Sequence, residues 1–241
     1  VQKKEHLAQF DIENLLIVDA LFGLFFARLW HVITDYHLYS DNPIMALYIW
    51  NGGLSIFGAA IGVVLGTFLY SKVISKITHD QTFSTLRLMN LVAFILPLAQ
   101  IIGRYGNLIN QELYGKPTDS IMGMFISRDN RPYEYIRYSY FHPAYLYEQI
   151  GNLVLLLINI YLYKKFGFRR HLYIVTWLIG YGAIRFAVEF YRIGTSFIGP
   201  FTFSQIVSII MIALGLLILE FSILKKKQIL YIVELWKRRL H

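Results

Sequence analysis

Six apolar segments, near residues 14–34, 51–71, 85–105, 143–163, 172–191 and 202–224, divide this chain of 241 residues. Each approaches the ~20 residues an α-helix needs to cross ~30 Å of hydrocarbon. Inside hydrocarbon every peptide group must find its hydrogen bond within the protein, and continuous apolar runs of this length achieve that as helices. Composition agrees: 56% of residues are hydrophobic and 16% charged, against about 25% charged in soluble domains. A soluble bundle of six helices would need polar faces that these segments lack. The expected fold class is all-α, a polytopic integral membrane helical bundle with six spanning helices. It is expected as a single membrane domain over residues 1–241, with a loop region at about 106–142 and a basic tail at about 225–241.

The charges set the orientation. Lys3 and Lys4 precede the first segment, and Lys72 and Lys76 follow the second. Lys164, Lys165, Arg169 and Arg170 follow the fourth, and Lys225, Lys226, Lys227, Lys237, Arg238 and Arg239 follow the sixth. These are alternate loops, the positive-inside pattern, so both ends are expected to be cytoplasmic and loops 35–50, 106–142 and 192–201 to face outward. The net charge of +8 is thereby explained without nucleic acid, and no nucleic-acid partner is expected. The basic tail, with Trp236, reads as a surface helix on anionic membrane lipids or as a simple stop-transfer anchor. The 3–14 stretch reads as a loop, and no signal peptide is visible. Without cysteine the chain has no disulfide, thiol nucleophile or cysteine-based metal site. Any thiol in its chemistry comes from a substrate.

The most informative motif is Gly103-Arg104-Tyr105-Gly106-Asn107-Leu108-Ile109-Asn110-Gln111-Glu112-Leu113-Tyr114-Gly115. It places charge and amides at the end of an apolar run, where ionisable groups are costly and usually functional. Arg104 and Asn107 share a helix face by their spacing. Arg104 reads structurally as a partner of Glu148 or Glu189, and functionally as a clamp for a lipid phosphate through its planar fork. The accompanying amides Asn107 and Asn110 favour the clamp. Pro97 is expected to break the helix nearby and open its backbone.

Three further stretches carry polar residues at membrane depth. Gly52-Gly53-Leu54-Ser55-Ile56-Phe57-Gly58 leads into Gly62 and Gly66 at four-residue spacing, which lets helix backbones approach. His142-Pro143-Ala144-Tyr145-Leu146-Tyr147-Glu148 opens the fourth segment, with Pro143 expected at the first helical position. His142 reads as a cap or as a proton-transfer group, while Tyr145, Glu148 and Asn152 can share a face. In the fifth segment Tyr181, Arg185, Glu189 and Arg192 form one helical stripe. Arg185 and Glu189 either neutralise each other or line a polar cavity. Ser204 and Gln205 read as cap and packing residues, and Arg28 as a structural arginine.

These motifs, in this order over about residues 12–223, resemble the prolipoprotein diacylglyceryl transferase family. The resemblance implies an enzyme of the bacterial cytoplasmic (inner) membrane, multi-pass, without metal or cofactor. It would transfer the sn-1,2-diacylglyceryl group of phosphatidylglycerol to the lipobox cysteine in a prolipoprotein signal peptide, forming a thioether and releasing glycerol-1-phosphate. Catalytic roles would fall to Arg104, Arg185, Tyr181 and His142. Substrate binding would fall to Arg104, Asn107, Asn110, Glu112, Gly115, Glu148, Glu189 and Ser55. The chain departs from the family at Phe26, where a glycine is usual, and at Phe57, where many members carry histidine and others tyrosine. Phenylalanine cannot move a proton, so the base falls to His142 or to no dedicated protein group. The family has seven spanning helices with its N-terminus outside, so the first is expected to be either truncated from this sequence or naturally absent. The rival readings are a silent paralogue that binds lipid or lipoprotein, and a small-anion transporter. Orientation is testable directly. A cysteine at position 129 should react with an impermeant thiol reagent in intact spheroplasts, and one at position 226 should not; the reverse result inverts the orientation.

Overall fold

A computed structural model of the protein describes residues 9–78, 83–169, 171–194 and 197–239. Six long helices carry it: α1 (Gln9–Thr34), α2 (Ile56–Thr78), α3 (Thr85–Asn110), α4 (Ala144–Phe166), α5 (Leu172–Glu189) and α6 (Phe203–Arg239). Each contains a stretch long and apolar enough to cross a membrane, with at most 33% of its most apolar window buried inside the protein. Leu21, Phe25, Ile77, Ile102 and Phe221 are each more than 60% exposed. Apolar surface on this scale is unfavourable in water and costs nothing in hydrocarbon, so the chain is a multi-pass membrane protein.

Several element ends differ from the sequence expectations. Residues 9–14 are helical rather than loop; Lys3, Lys4 and Arg170 lie outside the described residues. Helix α3 continues unbroken through Pro97 to Asn110, because the apolar turns on either side outweigh one missing donor. The loop region therefore starts at about 111 instead of 106. Pro143 is the N-cap of α4, and Ala144 is its first helical residue. The tail from 225 continues α6 to Arg239, and its side chains lie outside the described set.

Contacts divide the chain into two compact units, Val1–Met89 and Asn90–His241. In the first, α1 packs on α2, with Gly58 and Gly62 set directly against the backbone at Phe26 and Phe22. Asp19 accepts from Thr67 Oγ1 at 3.0 Å. The buried Arg28 gathers the segment between α1 and α2. Its guanidinium donates to the carbonyls of Ala46 (2.8 Å), Gly52 (2.6 Å), Gly53 (3.0 Å), Met45 (2.6 Å) and Tyr48 (3.3 Å). The Tyr39 ring lies 5.1 Å from it. Five carbonyl dipoles stand in for water around a charge that hydrocarbon could not solvate, which is the structural role expected of it.

In the second unit, buried amides tie the helices together. Asn90 accepts from the Tyr173 and Ile174 amides at 2.9 and 3.2 Å, capping α5, and donates to Arg169 O. Asn159 accepts from Thr176 at 2.9 Å, and Gln149 donates to Ile101 O at 2.9 Å. Between α3 and α4, β1 (Met124–Phe125) pairs antiparallel with β2 (Tyr140–Phe141). Tyr114, Ile126 and Phe141 form a small apolar core beneath that pair. A second short pair, β3 (Phe197–Ile198) and β4 (Phe201–Thr202), precedes α6.

The Arg28 anchor has a measurable consequence. Arg28→Ala strands several carbonyls and should cost about 3 kcal/mol or more. Thermal unfolding in detergent should show a lowered midpoint, recovered only in part by Arg28→Lys, whose single ammonium cannot reach both flanks of the segment. An unchanged midpoint would show that the carbonyls are satisfied without it.

Candidate active site

The ends of α3, α4 and α5 meet around one carboxylate. Glu148, on the second turn of α4, is 2% exposed. Its Oε1 accepts from Arg104 Nη2 of α3, and from Tyr181 Oη of α5 at 2.9 Å. Its Oε2 lies 4.0 Å from Arg185 Nη1. The sequence offered Glu148 or Glu189 as the partner of Arg104, and the geometry selects Glu148. The other face of Arg104 donates from Nη1 to Asn107 Oδ1 at 3.0 Å, one turn along α3 as the spacing required.

A second carboxylate repeats the arrangement. Glu189, 4% exposed, takes Arg185 Nη2 at 2.8 Å and Arg192 Nη1 at 3.6 Å. Arg185 Nη2 also donates to Ser204 Oγ at 2.9 Å, drawing in the first turn of α6. Ser204 is thus more than a cap. Gln205, read as a packing residue, instead caps the turn, its Oε1 accepting from Thr202 N at 3.0 Å. Burial, and then the neighbouring Arg185 charge, push the Arg192 guanidinium below its ordinary value. Three guanidiniums and two buried carboxylates leave the cluster one positive charge in excess.

The rim is polar. Asn107 and Asn110 both donate to Glu112 Oε1, at 3.0 and 3.3 Å. Gln111 turns the chain at positive φ and accepts from Ser127 N and Oγ, both at 2.7 Å. His142 holds Tyr147 Oη at 2.9 Å through Nδ1 and packs on Tyr191, their rings 5.1 Å apart. Trp177 stacks on Tyr181 at 5.5 Å. A small cavity opens between Arg104, Glu148 and Arg192. Beside it, an apolar groove of about 380 Å³ runs between α4 and α5, lined by Ile150, Gly151, Ile184 and Ala187. Val188 borders both spaces.

Of the expected site residues, Arg104, Asn107, Asn110, Glu112, Gly115, His142, Glu148, Tyr181, Arg185 and Glu189 all belong to the second unit. Ser55 belongs to the first, where its amide donates to Ala27 O at 3.0 Å. The site also engages Arg192, Ser204 and Trp177. Arg192 was legible as the fourth member of the α5 stripe; Ser204 and Trp177 carried no comparable signal.

Gly115 shows how tightly the rim is closed. Its amide donates to His142 O at 2.7 Å, and Lys116 N donates to Tyr191 O at 2.7 Å. A Cβ at Gly115 would sit 2.5 Å from Tyr191 O and 2.9 Å from His142 Cβ. Gly115→Ala should therefore lower the unfolding midpoint, with an overpacking cost of about 1–3 kcal/mol. A midpoint equal to the parent's would mean that these strands separate freely.

The family model for prolipoprotein diacylglyceryl transferase matches residues 1–221. The chain is similar to the phosphatidylglycerol–prolipoprotein diacylglyceryl transferase of Synechococcus elongatus, 36% identical over 213 residues, which are 86% of this chain and 70% of that protein. The protein of the same name from Acaryochloris marina is 34% identical over 240 residues, covering 95% and 84%. That of Thermotoga petrophila is 35% identical over 219 residues, covering 88% and 71%. With its arginine-rich helix ends in place and these relatives along most of its length, the chain belongs to the prolipoprotein diacylglyceryl transferase family.

Proposed function

We propose that this chain transfers the diacylglyceryl group of phosphatidylglycerol to the cysteine thiol of prolipoproteins, giving a thioether and glycerol-1-phosphate. The observation that carries the site reading is the cluster of Arg104, Arg185 and Arg192 around two buried carboxylates, cationic by one charge. A cationic cluster within reach of hydrocarbon favours an anion whose remainder is apolar. A phospholipid fits: the phosphate lies against the guanidiniums, and an acyl tail lies along the α4–α5 groove past Val188.

The chemistry has three needs. The thiol must lose its proton, because thiolate is the nucleophile. Sulfur must be aligned with the glyceryl carbon bearing the phosphate. Negative charge must be stabilised as the carbon–oxygen bond breaks and the phosphodiester monoanion becomes a phosphate monoester. Arg104 and Arg185 supply the last, with donors already fixed by Glu148, Glu189 and Ser204. Tyr181 and Asn107 orient the headgroup. Asn110, Glu112 and Gly115 shape the rim, where the lipobox of the signal peptide would enter from the outer side of the bacterial inner membrane. His142 is one histidine available for proton transfer, with Nδ1 already engaged by Tyr147.

The test is transfer from labelled phosphatidylglycerol to a lipobox peptide. Arg104→Ala and Arg185→Ala should each lower the rate at least ~100-fold, the scale for removing one charge-stabilising donor. The helical signal should persist, since Glu148 keeps two of its three partners. Arg→Lys should recover little, because the fork is lost. Normal transfer by Arg104→Ala would remove the phosphate clamp from the mechanism.

A further inference from the structure

The groove between α4 and α5 is closed at its inner end. At its outer end stand Tyr147 and Tyr191, their rings 5.4 Å apart. Further along α4, about 6 Å from Tyr147 at 1.5 Å per residue, Gly151 leaves its place in the wall to a side chain of the other helix. A Cβ at Gly151 would lie 2.8 Å from both Cγ1 and Cγ2 of Ile184, and 3.1 Å from its Cδ1. One turn deeper the relation is reversed, since a Cβ at Gly180 of α5 would lie 2.6 Å from Leu155 Cδ1. Leu155 is buried, so the helices are shut at its level, about 12 Å along α4 from Tyr147. Ile184 stands between the open end and the closed one.

That position suits Ile184 to gauge what enters. Its side chain lines the groove, and β-branching leaves an isoleucine in a helix one strongly preferred χ1 rotamer. The next residue, Arg185, belongs to the cationic cluster and is fixed by Glu189 at 2.8 Å and Ser204 at 2.9 Å. Bulk that pressed on Ile184 would strain the arginine that is to meet the phosphate. The flank of the groove is open to hydrocarbon, with Ile150 48% exposed. An acyl chain crosses about 15 Å of its leaflet, half of the hydrocarbon core. The groove therefore takes the part of the chain nearer the ester, and Leu155 turns the far end out into the bilayer.

We infer that Ile184, backed by Gly151, selects the lipid by the bulk of one acyl chain near its ester, and that the far end of that chain goes unread. The inference rests on the transfer reading above and adds a lipid class to it: phosphatidylglycerols whose acyl chain is straight where it leaves the ester. A methyl branch at that point meets a side chain with little freedom to turn aside, and excess volume in a packed wall is destabilising. The same branch near the end of the chain lies in fluid lipid, where it meets no fixed wall.

The experiment compares phosphatidylglycerols as donors to a fluorescent lipobox peptide in detergent micelles: straight saturated chains, chains methyl-branched beside the ester, and chains methyl-branched at the far end. By kcat/KM, the parent should use the ester-branched lipid about tenfold less well than the end-branched one, the scale for one methylene in a hydrophobic pocket. Ile184→Ala should bring that ratio near one. Gly151→Ala drives Ile184 farther into the groove and should widen the ratio, and adding Ile184→Ala to it should bring the ratio back below the parent's. Ile184→Val, which removes one carbon, should fall between parent and Ile184→Ala, and it carries the test if the alanine variant loses its helical signal. An active parent that ignores the branch position, or a ratio that the Ile184 variants do not move, would overturn the inference and leave the transfer reading standing. A parent inactive on the straight-chain lipid removes both.

Discussion

The Glu148 carboxylate is the interaction on which the second unit depends. It comes from α4, is engaged by Arg104 of α3, and takes Tyr181 and Arg185 of α5. Arg185 carries the connection on to Glu189 and to Ser204 of α6. Four helices are thus tied through one chain of charge-assisted contacts at the level where they leave the apolar stretch. Removing a single partner weakens such a buried set, while the partners that remain keep the carboxylate engaged. The set therefore holds its arginines in place whether or not a lipid is bound.

That rigidity suits the proposed chemistry. Three guanidiniums together at membrane depth would repel one another and pay heavily for lost hydration. Two buried glutamates cancel most of that cost and stop one charge short. The residual charge, with forks already oriented, is what a phosphate needs, and little reorganisation remains for the moment when charge develops on the leaving oxygen. The structural and functional readings of Arg104 are consequently the same reading. Its pairing with Glu148 lets it exist there, and in the proposed function the shortfall of carboxylates would let it act on an anion.

Much of this was legible from residue spacing. Arg104 and Asn107 met because three positions separate them on a helix, and the stripe from Tyr181 to Arg192 faced one way because helices repeat every 3.6 residues. The six spans followed from hydrocarbon thickness. What spacing could not give was choice among distant partners. Glu148 and Glu189 were equivalent candidates for Arg104 in one dimension, and only packing decided between them. Helix ends were misplaced for a related reason. Polar residues such as Asn107 and Asn110 looked like loop, yet α3 carried on through them because Glu112 and Arg104 satisfied their amides. Pro97 looked like a breaker, yet the surrounding apolar turns absorbed it. Ser204 looked like a cap until the guanidinium of Arg185 was found against it.

The amphiphilic shape of the site is the last link. Val188 borders both the small arginine-lined cavity and the aliphatic groove between α4 and α5. One residue on, Glu189 belongs to the charged cluster; one turn back, Ile184 belongs to the groove. A helix whose polar stripe runs beside an aliphatic face can thus offer charge and hydrocarbon to one ligand at once. A free phosphate would use only the first, and a neutral diglyceride only the second. A phospholipid would use both, and the packed rings of His142, Tyr147 and Tyr191 stand where the groove ends at Tyr147 and Tyr191. The selectivity of such a site lies in that adjacency, since neither the cation cluster nor the groove could discriminate a lipid substrate by itself.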